Sequence, residues 1–419
     1  MFKNIFYVVL FLYSSLLYSN DEAYKKIVDS YIKIAYATYQ DSLISAKSLR
    51  SAINYFLSNP APENLALAKS AWLSSRIPYQ QSEVFRFGNT IVDNWEGKVN
   101  AWPLDEGLID YVQKTGEFNE SENPLYATNI IANNSIFING NRVDATDINP
   151  KFLAEVLHEA EGIEANVATG YHAIEFLLWG QDLNGNNPGN GTRPATDYDK
   201  ENCTHSNCVR RAQYLKAAVD LLVQDLEEMV SYWTDSGKAT LMLKNNYSLA
   251  MSSILMGMGS LSYGELAGER MQLGLYLNDP EEEHDCFSDN THNSHYYNQV
   301  GISNIYYANY KRINGNEVNG YSLSDLIQKT NPKFSNVMDS KIQNATIALS
   351  NVRVRAETIE SYDQMIAKNN IDGNNTIQVA INALVDESKG FEELVKIIGL
   401  KDIKFEGSDS LDSPEDVFK

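Results

Sequence analysis

Apolar residues recur along this chain at intervals of three and four over most of its length. Between residues 21 and 56, Tyr24, Ile27, Val28, Tyr31, Ile34 and Ala35, then Leu49, Ile53 and Phe56, fall on one face of a helical period. The spacing predicts a bundle-length helix of about ten turns. After the break at Asn59-Pro60-Ala61-Pro62, Trp72, Arg76, Tyr79 and Glu83 follow at steps of four, three and four. They share one stripe of a second helix, which Pro78 is expected to bend. Helices are also predicted at 210–233, 239–275, from Ser322 to the break at Asn331-Pro332, at 333–349 and at 376–400. Asn149 and Pro150 carry the cap and first-turn signals of a helix leading into residues 166–182. One strand pair stands out, at 135–143, turning on Asn139-Gly140.

The segment 183–207, rich in Gly, Asn, Pro and Asp, interrupts the helical pattern long enough to mark a boundary. A loose duplication flanks it. Glu83 precedes Asp105 in W-P-L-D by 22 residues, and Glu269 precedes Asp289 in F-S-D by 20. The expected fold class is all-α: two related four-helix-bundle-like halves with a small β-hairpin insertion. The expected organisation is a leader at 1–19, a first half at 20–185, a linker at 186–209, a second half at 210–403 and a disordered acidic tail at 404–419.

Composition narrows the function. Lys3 followed by an apolar run from Ile5 to Leu17 reads as a secretion signal, too short to cross a bilayer, with a cut after Ser19. The mature protein is therefore expected to be exported and not membrane-spanning. With 34 basic against 55 acidic residues and a net charge of -21, the chain disfavours nucleic acid and favours cations. Of three cysteines, Cys203 and Cys208 read as a short disulfide loop, with a zinc site as the rival, and Cys286 is left over.

Residues 166–182, N-V-A-T-G-Y-H-A-I-E-F-L-L-W-G-Q-D, hold the candidate chemistry. His172 and Glu175 sit one helical turn apart inside an apolar sleeve, where burial costs several kcal/mol unless a metal, an arginine or a hydrogen bond compensates. Ala173 and Phe176 occupy the positions where zinc peptidases of the H-E-x-x-H type carry the base and second histidine. The pair is half a site, with Glu83, Asp105, Glu265, Glu269, Asp289 and His292 as candidates for the rest. Mixed imidazole and carboxylate ligation suits iron, zinc or manganese. A structural alternative pairs Glu175 with Arg76 or Arg270 and needs no metal. His158, between Glu155 and Glu161 in a charged setting, reads as a surface histidine despite its Glu-x-x-His spacing. The methionines of the run at 251–271 read as core filler. The acid- and histidine-dense stretch 279–293 reads as a surface loop.

Several motifs recur together: R-x-P-Y-x-x-S-E at 76–83, W-P-L-D at 102–105, G-x-H-x-x-E at 170–175, C-x4-C-x-R-R at 203–211, G-E-L-A-G-E-R-M at 264–271 and E-H-D-C-F-S-D-N-T-H at 283–292. In this combination the chain resembles the imelysin-like family over almost its whole mature length. The resemblance implies a two-bundle helical protein of the periplasm or cell surface, associated with iron or haem uptake and working with outer- or inner-membrane uptake components. It also implies a metallopeptidase label as the alternative activity. By the same resemblance His172 and Glu175 are metal ligands, and Arg76, Glu83, Asp105, Glu265, Glu269, Arg270, Asp289 and His292 line the cleft.

Overall fold

We describe the protein from a computed structural model, which describes residues 2–113, 123–400, 403–415 and 417, with side chains from residue 21 onward. The leader expected at 1–19 lies outside the described side chains. Among the described residues no helix is long and apolar enough to cross a membrane.

The periodic stripes become helices. Helix α1, Phe2–Ser58, buries Tyr24, Ile27, Val28, Tyr31, Ile34, Leu49, Ile53 and Phe56. Helix α2, Pro62–Gln80, starts on a proline and contains Pro78 in its last turn. Helix α3 is Gly170–Trp179, and α4 is Cys208–Tyr232. Helix α5, Tyr247–Ser260, is capped by the Asn246 side chain and continues into a wide-turned stretch, Leu261–Gln272. Helix α6 is Thr291–Tyr307; α7, Pro332–Thr358, uses Asn331 as its cap and Pro332 in its first turn; α8 is Ile371–Ile397.

A large hydrophobic cluster joins α1, α2, α3 and α4, and a smaller one joins Leu261–Gln272 to α7 and α8 through Leu266, Leu349, Ile377 and Leu384. Helix α4, which sequence places beyond the linker, packs on α1 and α3. The ends of the fold also meet: Tyr24 Oη, near the start of the described side chains, donates to the Ile398 carbonyl at 2.7 Å.

Strands β1, Ser135–Ile138, and β2, Asn141–Asp144, form the expected antiparallel hairpin. Asn139 and Gly140 both adopt positive φ, 49° and 72°, the conformation a two-residue turn of the favoured hand requires. A second hairpin, β3 at Asn309–Lys311 and β4 at Glu317–Asn319, was not expected from sequence. It docks on α1 through Asp41, which accepts from Tyr310 Oη at 2.9 Å and Arg312 Nη2 at 2.7 Å.

Two further expectations are corrected. Pro150 does start a helix, but it does not run into the motif: Pro150–Phe152 gives way to a wide turn at Leu153–Leu157, and the chain reverses at Glu159 and Glu161, with φ of 53° and 64°. His158 is consequently mostly covered, with Nδ1 accepting from the Ala168 N–H at 3.3 Å. The segment after Lys404, expected to be disordered, packs on Leu261–Gln272. The Glu406 N–H donates to Ser260 Oγ at 3.0 Å and Ser410 Oγ to the Gly268 carbonyl at 3.0 Å. Small residues allow this, since a Cβ on Gly264 would stand 2.6 Å from the Glu406 carbonyl oxygen.

Candidate metal centre

Every residue of α3 is buried. Gly170 opens the helix at φ +78°, where a Cβ would stand 2.3 Å from the Val99 carbonyl oxygen, so only glycine allows this approach. Trp72 Nε1 donates to the Tyr171 carbonyl at 3.0 Å and Tyr214 Oη to the Ala168 carbonyl at 2.9 Å, fixing the helix start. On this clamped turn His172 Nδ1 and Glu175 Oε2 stand 3.1 Å apart.

The partner of the pair comes from residues 283–290, just before α6. Glu175 Oε1 accepts from Ser288 twice, from N–H at 3.0 Å and from Oγ at 2.6 Å. Asp285 Oδ1 lies 3.8 Å from His172 Nδ1 and 3.4 Å from His284 Nδ1. His172, His284 and Asp285 offer ligand atoms that all lie within 4.8 Å of one another. The rings of His172 and His284 meet edge to face at 4.7 Å, and Trp102 covers His172 at 5.2 Å. His172 Nε2 is buried without a hydrogen-bond partner.

Arg76 is the resident cation of this cluster. Its Nη2 donates to Asp285 Oδ1 at 2.8 Å and lies 3.4 Å from His284 Nδ1, while Nη1 donates to Asn100 Oδ1 at 2.5 Å and Nε has no partner. Neither arginine nominated to neutralise Glu175 bonds to it. Arg76 pairs with Asp285, and Arg270 pairs with Glu83 at 3.0 Å and Glu265 at 2.6 Å.

These contacts set the protonation states. Burial, His284 and Arg76 hold His172 well below the ordinary imidazole range, and burial and Arg270 hold His284 down at about 4. Both rings are therefore neutral at pH 7 and carry a lone pair. Burial and Asp285 push the Glu175 carboxyl well up, against the pull of Ser288 and Arg76. Asp285 is pushed up by burial too, but Arg76 outweighs it and holds the carboxyl well below its usual range.

A cavity of about 640 Å³ opens beside the cluster, with His284 and Trp102 on its wall and Glu96, Glu265, Glu269 and Arg270 around it. Burial lifts Glu265, but Arg270 and Arg86 more than reverse this and leave it at about 2. Burial lifts Glu96 to about 7 against the pull of Arg86. The structure thus brings His172, Glu175 and Arg76 together, and gathers Glu83, Glu265 and Arg270 in an adjoining network beside the exposed Glu269.

The other nominated residues stand apart from this ligand group. Asp105 is engaged by Asn123, Asp289 takes a positive φ of 55°, and His292 Nε2 lies 3.0 Å from Asn293 Nδ2. His284, Asp285 and Ser288 were missed. They sit in the acid-dense stretch read as surface, although the apolar pair Cys286-Phe287 beside them signalled that the run dips inward. Cys203 and Cys208 form the expected disulfide, and Cys286 is free and buried.

The family described as imelysin, peptidase M75, matches residues 35–389 of this chain. The chain belongs to the imelysin family. An iron-regulated protein A from Synechococcus elongatus is 30% identical over 83 residues; the match spans 20% of this chain and only 21% of that relative. Two solved structures share the imelysin fold. One, from Parabacteroides distasonis and described as an iron-regulated protein A precursor, superposes with a TM-score of 0.62 at 19% identity, over 90% of this chain and 95% of its own. The other, an imelysin-like protein from Psychrobacter arcticus 273-4, gives 0.58 at 12% identity over 92% and 98%.

Proposed function

We propose that this imelysin binds a divalent transition metal, iron foremost, through His172, His284 and Asp285, with Glu175 completing or orienting the set. The observation that carries the reading is the spacing of the buried donors. Ligand atoms around a tetrahedral ion with bonds of about 2.1 Å lie about 3.4 Å from one another. Three of the donor pairs here, His172–Glu175, His284–Asp285 and His172–Asp285, stand at 3.1, 3.4 and 3.8 Å, and the His172, His284 and Asp285 ligand atoms all lie within 4.8 Å of one another. Two neutral imidazoles and two carboxylates are the donor chemistry that iron and zinc accept. When bound, the ion would supply positive charge to a dry pocket. Glu175 would then lose its proton, and Asp285 would be shared between the ion and Arg76.

The acidic cavity beside His284 supports a hydrated cation as the species that enters. It is a poor match for haem, whose propionates carry negative charge. The name shared by the Synechococcus and Parabacteroides relatives, iron-regulated protein A, supports iron. On this reading the protein is exported to the periplasm or cell surface, and hands its metal to membrane components of iron uptake.

Anaerobic titration of the purified protein with Fe(II), and separately with Zn(II), tests the site. His172→Ala and Asp285→Asn are expected to weaken binding more than about 100-fold, beyond the range of an outer-shell change. Affinity equal to wild type in both variants rules the site out.

A further inference from the structure

We propose a second cation site, distinct from the first, where the loop at 182–190 meets Asp289 and Asp363, built to take a partly hydrated calcium ion on carboxylate and amide oxygens. The loop opens with Asp182, Asn184 and Asn186 at alternate positions, the spacing with which calcium loops present side-chain oxygens. That signal is incomplete: Asn187 stands where a full loop carries glycine, and Arg193 where it carries the closing glutamate. The missing oxygens come from two other segments.

The loop is pinned to both of them. Asn186 Nδ2 donates to the backbone carbonyl of Asp363 at 2.7 Å. Gly191 N–H donates to the Phe287 carbonyl at 3.0 Å, and Asn190 Nδ2 reaches the Ser288 carbonyl at 3.5 Å, next to Asp289. Asp363, on the short helix Tyr362–Ile366, is only 2% exposed, yet its Oδ2 has no hydrogen-bond partner. Asp289 Oδ1 is likewise buried and unpartnered.

The charges around these oxygens are all of one sign. Burial, Asp363 and Asp182 together push the Asp289 carboxyl to about 8, with no basic residue acting on it. Asp363 rises to about 6, through burial first and with Asp182 adding. Buried carboxylates without a counter-charge are stable only when protonated or when a cation joins them. A donor set of oxygens alone selects a hard ion over iron or zinc, and an irregular loop suits calcium better than the strict octahedron of magnesium. Among the described residues only the His172 group closes to mutual ligand distance, so an ion here keeps several of its waters.

Terbium(III) luminescence and thermal melting in calcium chloride test the proposal, with Tyr362, adjacent to Asp363, as the antenna. Wild type and His172→Ala should both show terbium emission that calcium displaces, and both should melt about 4 °C higher in saturating calcium. Persistence in His172→Ala separates this site from the transition-metal site. Asp289→Asn with Asp363→Asn should lose the calcium shift and weaken terbium binding more than about 10-fold. Asp182→Asn, on the half-buried loop, carries the same expectation should the double variant not fold. An unaltered calcium response in these variants, or no terbium emission from wild type, overturns the site.

Discussion

Two carboxylate-rich pockets lie within one fold and are neutralised in opposite ways. Around His172, Asp285 has Arg76 at 2.8 Å and Glu175 has two donors from Ser288. Around Asp289, the acting charges are two further aspartates, and oxygens on both Asp289 and Asp363 are left unbonded. The first pocket carries its own cation and needs a metal to compete for a place. The second carries none, so protons or an incoming ion must supply the positive charge. Burial alone does not tell these pockets apart; the sign of the neighbours does.

The largest test of this contrast removes the resident cation. Arg76→Met leaves Asp285 buried and unpaired and should cost about 3–5 kcal/mol in denaturant melts. Saturating Zn(II) should restore more stability to the variant than it adds to wild type. Equal stability of variant and wild type would mean that Arg76 does not neutralise the pocket.

The next effect is on pH dependence without metals. Asp289 at about 8 and Asp363 at about 6 keep protons in the folded state that the unfolded chain releases above pH ~4. Their contribution is complete below pH ~4 and fades as pH rises through 6 to 8. Asp285 runs the other way: its folded value is depressed, so its contribution is present above pH ~4 and lost in more acid solution. His172 and His284, held neutral in the fold, oppose folding in acid and add stability as pH rises to ~6.5. Melting in chelator should therefore peak near pH ~6, with a loss of about 2 kcal/mol by pH ~8. A melting temperature that keeps rising from pH ~6 to ~8 would contradict the assignment.

Two smaller effects sharpen the comparison within each pocket. Glu175→Gln keeps the side-chain shape but cannot carry the charge that balances an ion on His172. Metal affinity should drop roughly 10–100-fold in the titration, with little change in the metal-free melt. Asp363→Asn removes an unpaired charge and should raise metal-free stability at pH ~8 by about 1 kcal/mol, and by nothing measurable at pH ~5. Destabilisation at both pH values would show that the hydrogen bond from Ser361 Oγ to Asp363 Oδ1 outweighs the unpaired charge.

How much of this was legible in the residues depended on range. Helical stripes such as Tyr24 to Ala35 announced themselves because the 3.6-residue period is local, and Asn139-Gly140 signalled its hairpin by turn chemistry. The second hairpin hid because its strands are three residues long and bury little beyond Tyr310. The reversal at Glu159 and Glu161 hid because positive φ falls there on residues that rarely adopt it. In the site, the sleeve around His172 and Glu175 pointed to burial. Asp285 lies 110 positions beyond Glu175, in a run whose charge suggested solvent. Composition reports what a residue prefers, and only packing reports which face of a charged run turns inward.

The hydrogen bond from Tyr24 to the carbonyl of Ile398 spans 374 positions of chain. Helix α1 therefore lies in a core whose last pieces are made at the other end of the polypeptide. Such topology delays final closure until nearly every residue is available, a high contact order that slows folding. On the proposed export of this protein through a membrane pore, that delay would be useful. The leading segment would then complete its packing only once the far end of the chain had crossed, and translocation and folding would stay in sequence.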